Sequence, residues 1–480
     1  MLHLDDNYIR AHMLDGMFGL EKENLRVTAD GFFSHTPHPA PGDEHIVRDF
    51  SENQTEINTD PYPSAEEALA ALVRHEQNLL GRLRALPEPE YLWLFSNPPY
   101  IKCEEDIPIA IFTGENAWKT EYRKHLSCVY GRYKMTFSGI HVNFSFSEEL
   151  LRREAELRGI ISDNDDTDRQ EQNMKTACGQ NLSEKTAGRQ EPSEKAAGGQ
   201  ELIEDDDVGQ KAAYRKFKDD FYIALTEKAS YCGWLLTVLT AASPVIDGSF
   251  MGGDFDDTVD TRKASLRCSE RGYWNFFDPV FDYSSLDAYA DSIEKYVKSG
   301  DLMASSELYY PVRLKPNCAY SIEKLRSEGA GHIELRMFDL NPLVPEGIDV
   351  RDVKFAGYLL AYLAAGGRMG LTEEDQINVA CNFKKAAGYD LDRVNLIGKG
   401  GISENVRDVA ISIIEEMKQF YASMLAMPAV PEKYKEIADI LEFEESKLID
   451  NKNRYAYKVL KEYGTDYVKK GMALVKERQR

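Results

Sequence analysis

The sequence predicts an α+β fold built on a mainly antiparallel sheet. Three observations carry that reading: hairpin-type extended runs, long helical patterns interleaved with them, and charged residues alternating with apolar ones along several of the runs.

The first element is "GMFGLEKENLRVTADGFFSHT", two extended runs around Asp30-Gly31, a dipeptide that favours a tight hairpin turn. In the first run Glu21 and Glu23 share one strand face, about 7 Å apart by strand geometry, and repel each other unless a cation lies between them. "SAEEALAALVRHEQNLLGRLRAL" follows as a helix, with Ser64 and Glu67 spaced as a capping box and Leu69, Leu72, Val73, Leu79, Leu80 and Leu83 as its apolar stripe. "MTFSGIHVNFSFS" alternates again: Met135, Phe137, Ile140, Val142, Phe144 and Phe146 lie on or near one face, and His141, Asn143 and Ser145 on the other.

Further along, "KFKDDFYIALTEKASYCGWLLTVLTAASP" reads as one long helix ending near Ser243-Pro244. "GHIELRMFDLNPLVP" is a strand in which Glu334 and Arg336 share a face, and "VRDVKFAGYLLAYLAAGG" is a helix stopped by a glycine pair. Residues from about 403 to 480 form a helical C-terminal region, in which Val406, Val409, Ala410, Ile413, Met417 and Phe420 recur at helical spacing.

Between Phe146 and Tyr214 there is no aromatic residue, although aromatics make up 11% of the chain. This stretch repeats with a ten-residue period, "SEKTAGRQEP" then "SEKAAGGQEL", after a worn copy "NMKTACGQNL". Residues from about 160 to 208 are therefore expected to be a disordered polar insertion within a single domain spanning 1–480.

Lys and Arg number 58 against 81 Asp and Glu, a formal net charge of −23 that repels nucleic acid and anionic lipid. No stretch reaches the ~20 apolar residues of a membrane helix, and "MLHLDDNYIRAHML" has no basic and apolar leader, so a cytoplasmic protein without membrane or nucleic-acid partners is expected. The seven cysteines are scattered, and no two are spaced as C-x-x-C, which argues for reduced structural thiols.

Four segments place acidic groups or a histidine where apolar residues would otherwise alternate: Glu21 and Glu23; Asp49, Glu52 and Glu56 in "RDFSENQTEIN"; His141; and Glu334. Each alone reads as surface or as a satisfied structural group. Together, on segments that look half-buried, they demand cations, because burying unpaired carboxylates is prohibitive. Several carboxylates with one imidazole suit Mg²⁺ or Mn²⁺, ions that also bind phosphate oxygens, and so point to a nucleotide ligand. The chain has no Walker, kinase or dinucleotide glycine motif, and the glycine-rich "GKGGIS" runs into a helix cap expected at Ser403. Any phosphate chemistry then runs through the metal cluster and arginines, with Arg123, Arg267, Arg313 and Arg336 as candidates for bidentate recognition.

Six ordered blocks, "FGLEKENLRVTADG", "RDFSENQTEINTDPYPS", "YRKHLSCVYGRYKMTFSGIHVNFSF", "ASLRCSERGYWN", "SELYYPVRLKP" and "HIELRMFDLNPLVPEGID", resemble bacterial glutamate–cysteine ligase. The likeness runs from about residue 16 to 150 and from 213 to about 365. It implies a glutamine-synthetase-like fold, a curved antiparallel sheet with flanking helices and Mg²⁺ on its inner face. It further implies ATP-dependent joining of L-glutamate to L-cysteine, the first step of glutathione biosynthesis, by a monofunctional monomer. Carried over by position, Glu21, Glu23, Asp49, Glu56, His141 and Glu334 match metal ligands, and Arg336 would face the transferred phosphoryl group. Tyr122, Arg123 and Tyr309 match amino-acid-binding positions, and Arg267 and Arg313 match substrate or nucleotide contacts. An arginine and a tyrosine on a helix of the best-known proteobacterial members correspond here to Tyr231 and Val238, so the acceptor pocket is expected to differ. Some relatives add an ATP-grasp module downstream, and none is expected here. The competing readings are a related ligase with another acceptor amine, a metal- and nucleotide-binding sensor, or a metal-dependent hydrolase.

Overall fold

Strand β1 (Gly16–Val27) organises the chain, and the sheet grows outward from both of its edges. The computed structural model describes residues 2–162, 201–425 and 435–479. In chain order, β2 (Ile46–Arg48), β3 (Gln54–Asn58), β4 (Tyr91–Leu92) and β5 (Gly139–Phe146) follow β1. Strands β6 (Val245–Asp247) and β7 (Thr258–Asp260) form a separate pair, and β8 (Val312–Lys315) and β9 (His332–Asp339) complete the main sheet. The main sheet has seven strands in the order β2-β3-β1-β5-β9-β8, with β4 paired to the end of β1. Every pairing in it is antiparallel, as the sequence predicts.

Register decides which side chains meet. Glu21 lies opposite His141, Glu23 opposite Glu56, Asn143 opposite Glu334 and Arg313 opposite Glu334. Because side chains alternate with period two, these residues share the inner face with Arg336 and Lys315. A register shift between Ile140 and Val142 gives β9 an extra residue opposite His141, a bulge beside the polar cluster.

The outer face is apolar: Leu20, Ile140, Val142, Phe144, Ile333 and Leu335 are buried in one core with the helix Ala65–Arg84 and the helix Val350–Ala365. Ser64 caps the first of these helices through the Glu67 amide. Its apolar stripe carries one exception, Glu76, which is buried and meets Lys22 of β1 at 3.0 Å. The Lys22 ammonium also donates to the Glu346 carbonyl at 2.9 Å. Thus β1 sends carboxylates to one face and a neutralised ammonium to the other.

The turn after β1 has Gly31 at φ +81° and a Thr28–Phe32 backbone bond of 2.8 Å. Its returning run makes the isolated bridges Val27–Phe33 and Phe32–Tyr100 and then leaves the sheet, so the expected second strand is reduced to single pairs. The expected single long helix is two, Glu201–Cys232 and Trp234–Thr240, parted at Gly233. A side chain there would collide with the Ala229 carbonyl and the Phe383 ring. The first of these helices begins inside the stretch assigned to the insertion. The repeats themselves, within 163–200, lie outside the described residues.

Helices Val406–Leu425, Ile437–Ile449, Tyr455–Tyr463 and Tyr467–Arg478 make up the C-terminal region. Ser403 is not a cap: it opens β11 (Ser403–Asn405), which pairs with β10 (Asn395–Ile397), and the Asn405 side chain accepts from the Arg407 amide at 2.9 Å. The last helices pack on a second core around Trp93 and Phe95. Gln479 bonds both backbone groups of Leu92, at 2.9 and 2.7 Å. Among the described residues no helix is long and apolar enough to cross a membrane.

Candidate active site

Strands β1, β5 and β9 bring Glu21, His141 and Glu334 together, with one potential ligand atom from each lying within 4.8 Å of the others. His141 Nδ1 is 2.9 Å from Glu21 and 3.5 Å from Glu334, and its Nε2 is 3.8 Å from Glu23. That Nε2 is buried and has no hydrogen-bond partner, and the same holds for Asn143 Oδ1. Asn143 spends its amide on Glu21 at 2.9 Å. An orphaned imidazole nitrogen and an orphaned amide oxygen beside carboxylates form a donor set suited to a hard divalent cation.

Glu23, Asp49 and Glu56 form the adjoining half of the cluster. Glu23 accepts from the Gly139 amide at 2.8 Å. Burial and then the carboxylates of Asp49, Glu21 and Glu23 push the Glu56 carboxyl up to about 8, and burial with the nearby Asp49 also raises Glu23. The other half is already neutralised. Burial works to raise Glu21, but Lys315 and His141 overcome it and hold the carboxyl down to about 2. Burial likewise opposes the ionised Glu334, yet Arg336, Lys315, His141 and Arg313 hold it well below the usual carboxylate range. For His141, burial and Arg336 favour the neutral ring, while bonds to Glu21 and Glu334 outweigh them and raise it.

Arg336 sits on the inner face, 3.0 Å from Glu334. Arg267 is turned to the strand backbone, donating to the Arg336 carbonyl at 2.8 Å. Arg313 likewise donates to the Leu308 carbonyl at 2.7 Å and lies 3.8 Å from Glu334. These two arginines therefore fix backbone next to the cluster, and each keeps a buried Nε without a partner. The helix Ala117–Tyr130 supplies Tyr122, which accepts from the Ser306 hydroxyl, and Arg123, which donates to the Asp49 carbonyl at 2.9 Å.

Tyr309 lies edge-on to Tyr130 and Tyr273, and it lines a recess with Arg267, Arg336, Tyr273, Trp274 and Thr237. The Thr237 hydroxyl is buried there and unpaired.

Glu52, grouped with Asp49 and Glu56 on sequence, is directed elsewhere: it pairs with Arg48 at 2.8 Å and accepts from the His38 amide. Tyr231 and Val238 do not line the recess. The Tyr231 hydroxyl accepts from the Lys399 amide and Val238 is buried in the apolar core. The adjacent Thr237 takes the position facing the recess. In the "GKGG" loop the Gly400 amide is bonded to Asp375 at 3.0 Å, which leaves no anion cradle. Sequence reasoning missed Lys315, Tyr273 and Thr237. Only Lys315 left a signal, its period-two spacing from Arg313 in "VRLK".

Residues 1–177, 200–302 and 299–386 match the family model described as glutamate-cysteine ligase. The bifunctional glutathione biosynthesis protein GshAB of Listeria innocua is 30% identical over 456 residues, covering 90% of this chain and 51% of that protein. Its counterpart from Clostridium perfringens is 30% identical over 437 residues, covering 87% and 48%. The chain thus spans about half the length of these curated relatives.

Among solved structures, glutamate–cysteine ligase from Francisella tularensis in complex with AMP superposes with a TM-score of 0.74 at 20% identity, over 97% of this chain and 88% of that one. A bifunctional glutathione synthetase from Pasteurella multocida gives 0.73 at 23% identity, over 98% and 53%. At those identities the likeness is one of fold. With the ordered blocks, the acidic inner face and the family match in agreement, the chain belongs to the glutamate–cysteine ligase family.

Proposed function

We propose that the chain catalyses ATP-dependent ligation of the γ-carboxylate of L-glutamate to the amine of L-cysteine, giving γ-glutamylcysteine, ADP and phosphate. The observation that carries this reading is the inner face itself, where Glu21, Glu23, Asp49, Glu56, His141 and Glu334 adjoin Arg336. A carboxylate is a poor electrophile. Its γ-oxygen attacks the γ-phosphorus of ATP, ADP leaves, and the resulting acyl phosphate is attacked by the amine nitrogen, which expels phosphate and sheds a proton.

The six ligand candidates would hold Mg²⁺, or Mn²⁺ in its place, and the bound ions would neutralise phosphate oxygens. Arg336, kept cationic by Glu334, meets the transferred phosphoryl group. Arg267 holds the β9 backbone at Arg336, so the guanidinium that meets the phosphoryl group is fixed in place. Tyr122, Arg123 and Tyr309 bind the amino acids, and Arg313 steadies the loop before Tyr309 by bonding the Leu308 carbonyl. The ties from Gln479 to Leu92 and from Tyr467 to Asn97 support a single catalytic unit that includes the C-terminal helices.

Phosphate release from ATP tests the proposal, with glutamate and each of a panel of amines. The expected result is release that requires both glutamate and an amine, fastest with cysteine. Release without an amine would mean a hydrolase, and no release a sensor. Equal rates with other amines would remove the cysteine assignment and leave the ligase class standing.

A further inference from the structure

The half of the acidic cluster formed by Glu21, His141 and Glu334 already contains a cation. Lys315, at the end of β8, places its ammonium 3.0 Å from Glu21 Oε1 and 3.1 Å from Glu334 Oε1. These oxygens belong to the two carboxylates that, with His141, form the candidate metal site. An ammonium midway between two carboxylates, each about 3 Å away, has the position a bridging divalent ion would take.

Comparison with Lys22 makes the point sharper. Lys22 donates to both Glu76 oxygens and to the Glu346 carbonyl, so all three of its N–H groups have acceptors. Among the described residues, the hydrogen bonds of Lys315 are those to Glu21 and Glu334, with no backbone acceptor to retain it. Arg336 and Arg313 hold the other Glu334 oxygen, so an arriving ion would not need to displace them. The adjoining half, with Glu23 and Glu56, has no lysine in hydrogen-bond contact among the described residues.

We propose that Lys315 is a built-in stand-in for the divalent ion: its ammonium bridges Glu21 and Glu334 in the metal-free protein and is displaced when the ion binds there. The proposal rests on the reading of Glu21, His141 and Glu334 as a metal site. Lys315 stabilises the empty cluster, sets a threshold for loading it, and once displaced leaves an ammonium at the edge of the site for an incoming anionic ligand.

The test is direct titration of the full chain with Mn²⁺, following the free-ion electron paramagnetic resonance signal without nucleotide or amino acids. Thermal unfolding in chelator accompanies it. In Lys315→Met, the class of Mn²⁺ that is lost in Glu334→Gln should bind about tenfold more tightly, because a competing charge has gone. The same variant should melt lower than wild type in chelator, and saturating Mn²⁺ should close that gap. Lys315→Arg, which keeps a cation, should bind Mn²⁺ with weaker affinity than Lys315→Met. Unchanged or weaker Mn²⁺ binding in Lys315→Met overturns the role of the lysine alone. Wild-type Mn²⁺ binding in Glu334→Gln overturns the metal site and the proposal with it.

Discussion

Glu21 touches His141 and Asn143 of the neighbouring strand β5 and Lys315 at the end of β8. Replacing it with Gln keeps the shape and removes the charge a divalent ion needs. Turnover of Glu21→Gln is expected to fall below detection in the phosphate-release assay, with a circular dichroism spectrum and melting profile close to wild type. Near-normal activity would discard the metal-site assignment. At this scale the sequence was informative wherever period two applied, since Glu21, Glu23, His141 and Glu334 alternate with Leu20, Ile140, Val142, Ile333 and Leu335 of the opposite, apolar face. It misled at Glu52, where the chain turns between β2 and β3 and spacing no longer fixes direction. Lys315 was passed over despite its period-two spacing from Arg313, because a lysine ending a four-residue strand looks like an ordinary solvated group until its neighbours across the sheet are known.

Strand β5 begins at Gly139, where an added methyl group would collide with the Arg267 guanidinium. Gly139→Ala should displace Arg267 from the β9 backbone and lower kcat/KM on the order of a hundredfold, the usual penalty for a misplaced catalytic geometry. Folding should survive, which far-ultraviolet circular dichroism would check. Away from the site, the helices Val350–Ala365 and Ile437–Ile449 are joined by a buried cluster in which Lys447 lies 2.7 Å from both Asp352 and Glu444. Burial pushes the Glu444 carboxyl well above its ordinary value, which favours its protonated form beside the Lys447–Asp352 contact. Lys447→Met is expected to cost about 3–5 kcal/mol in urea unfolding, and Glu444→Gln only about 1 kcal/mol. The helices Ala117–Tyr130, Leu286–Ser299 and Glu373–Ala386 went unread, while Ala65–Arg84 and Val406–Leu425 were legible from their apolar spacing. The break at Gly233 was not, because it answers to the Phe383 ring, a contact remote in sequence.

At β4, segments far apart in the chain meet, where Gln479 bonds both backbone groups of Leu92. The repeat segment departs and returns between neighbours: the Ser162 amide bonds Gln210 at 3.2 Å. Replacing residues from about 165 to 205 with a short Gly-Ser linker is therefore expected to leave phosphate-release activity within about twofold of wild type, since closing a shorter loop changes the free energy little. A loss of folding on excision would show that the segment is structural. The antiparallel α+β class was legible because charged and apolar residues alternate over long runs. The order β2-β3-β1-β5-β9-β8 was not, since the pairings of β1 with β5 and of β5 with β9 join segments far apart in the chain and leave no local trace. Strand β1 also checks its own assembly. Sliding by one residue would press Glu21 and Glu23 into hydrocarbon beside Glu76 and push Lys22 among Arg313, Lys315 and Arg336. Either face alone would reject that pairing, so the alternating signs that serve the chemistry also proofread the fold.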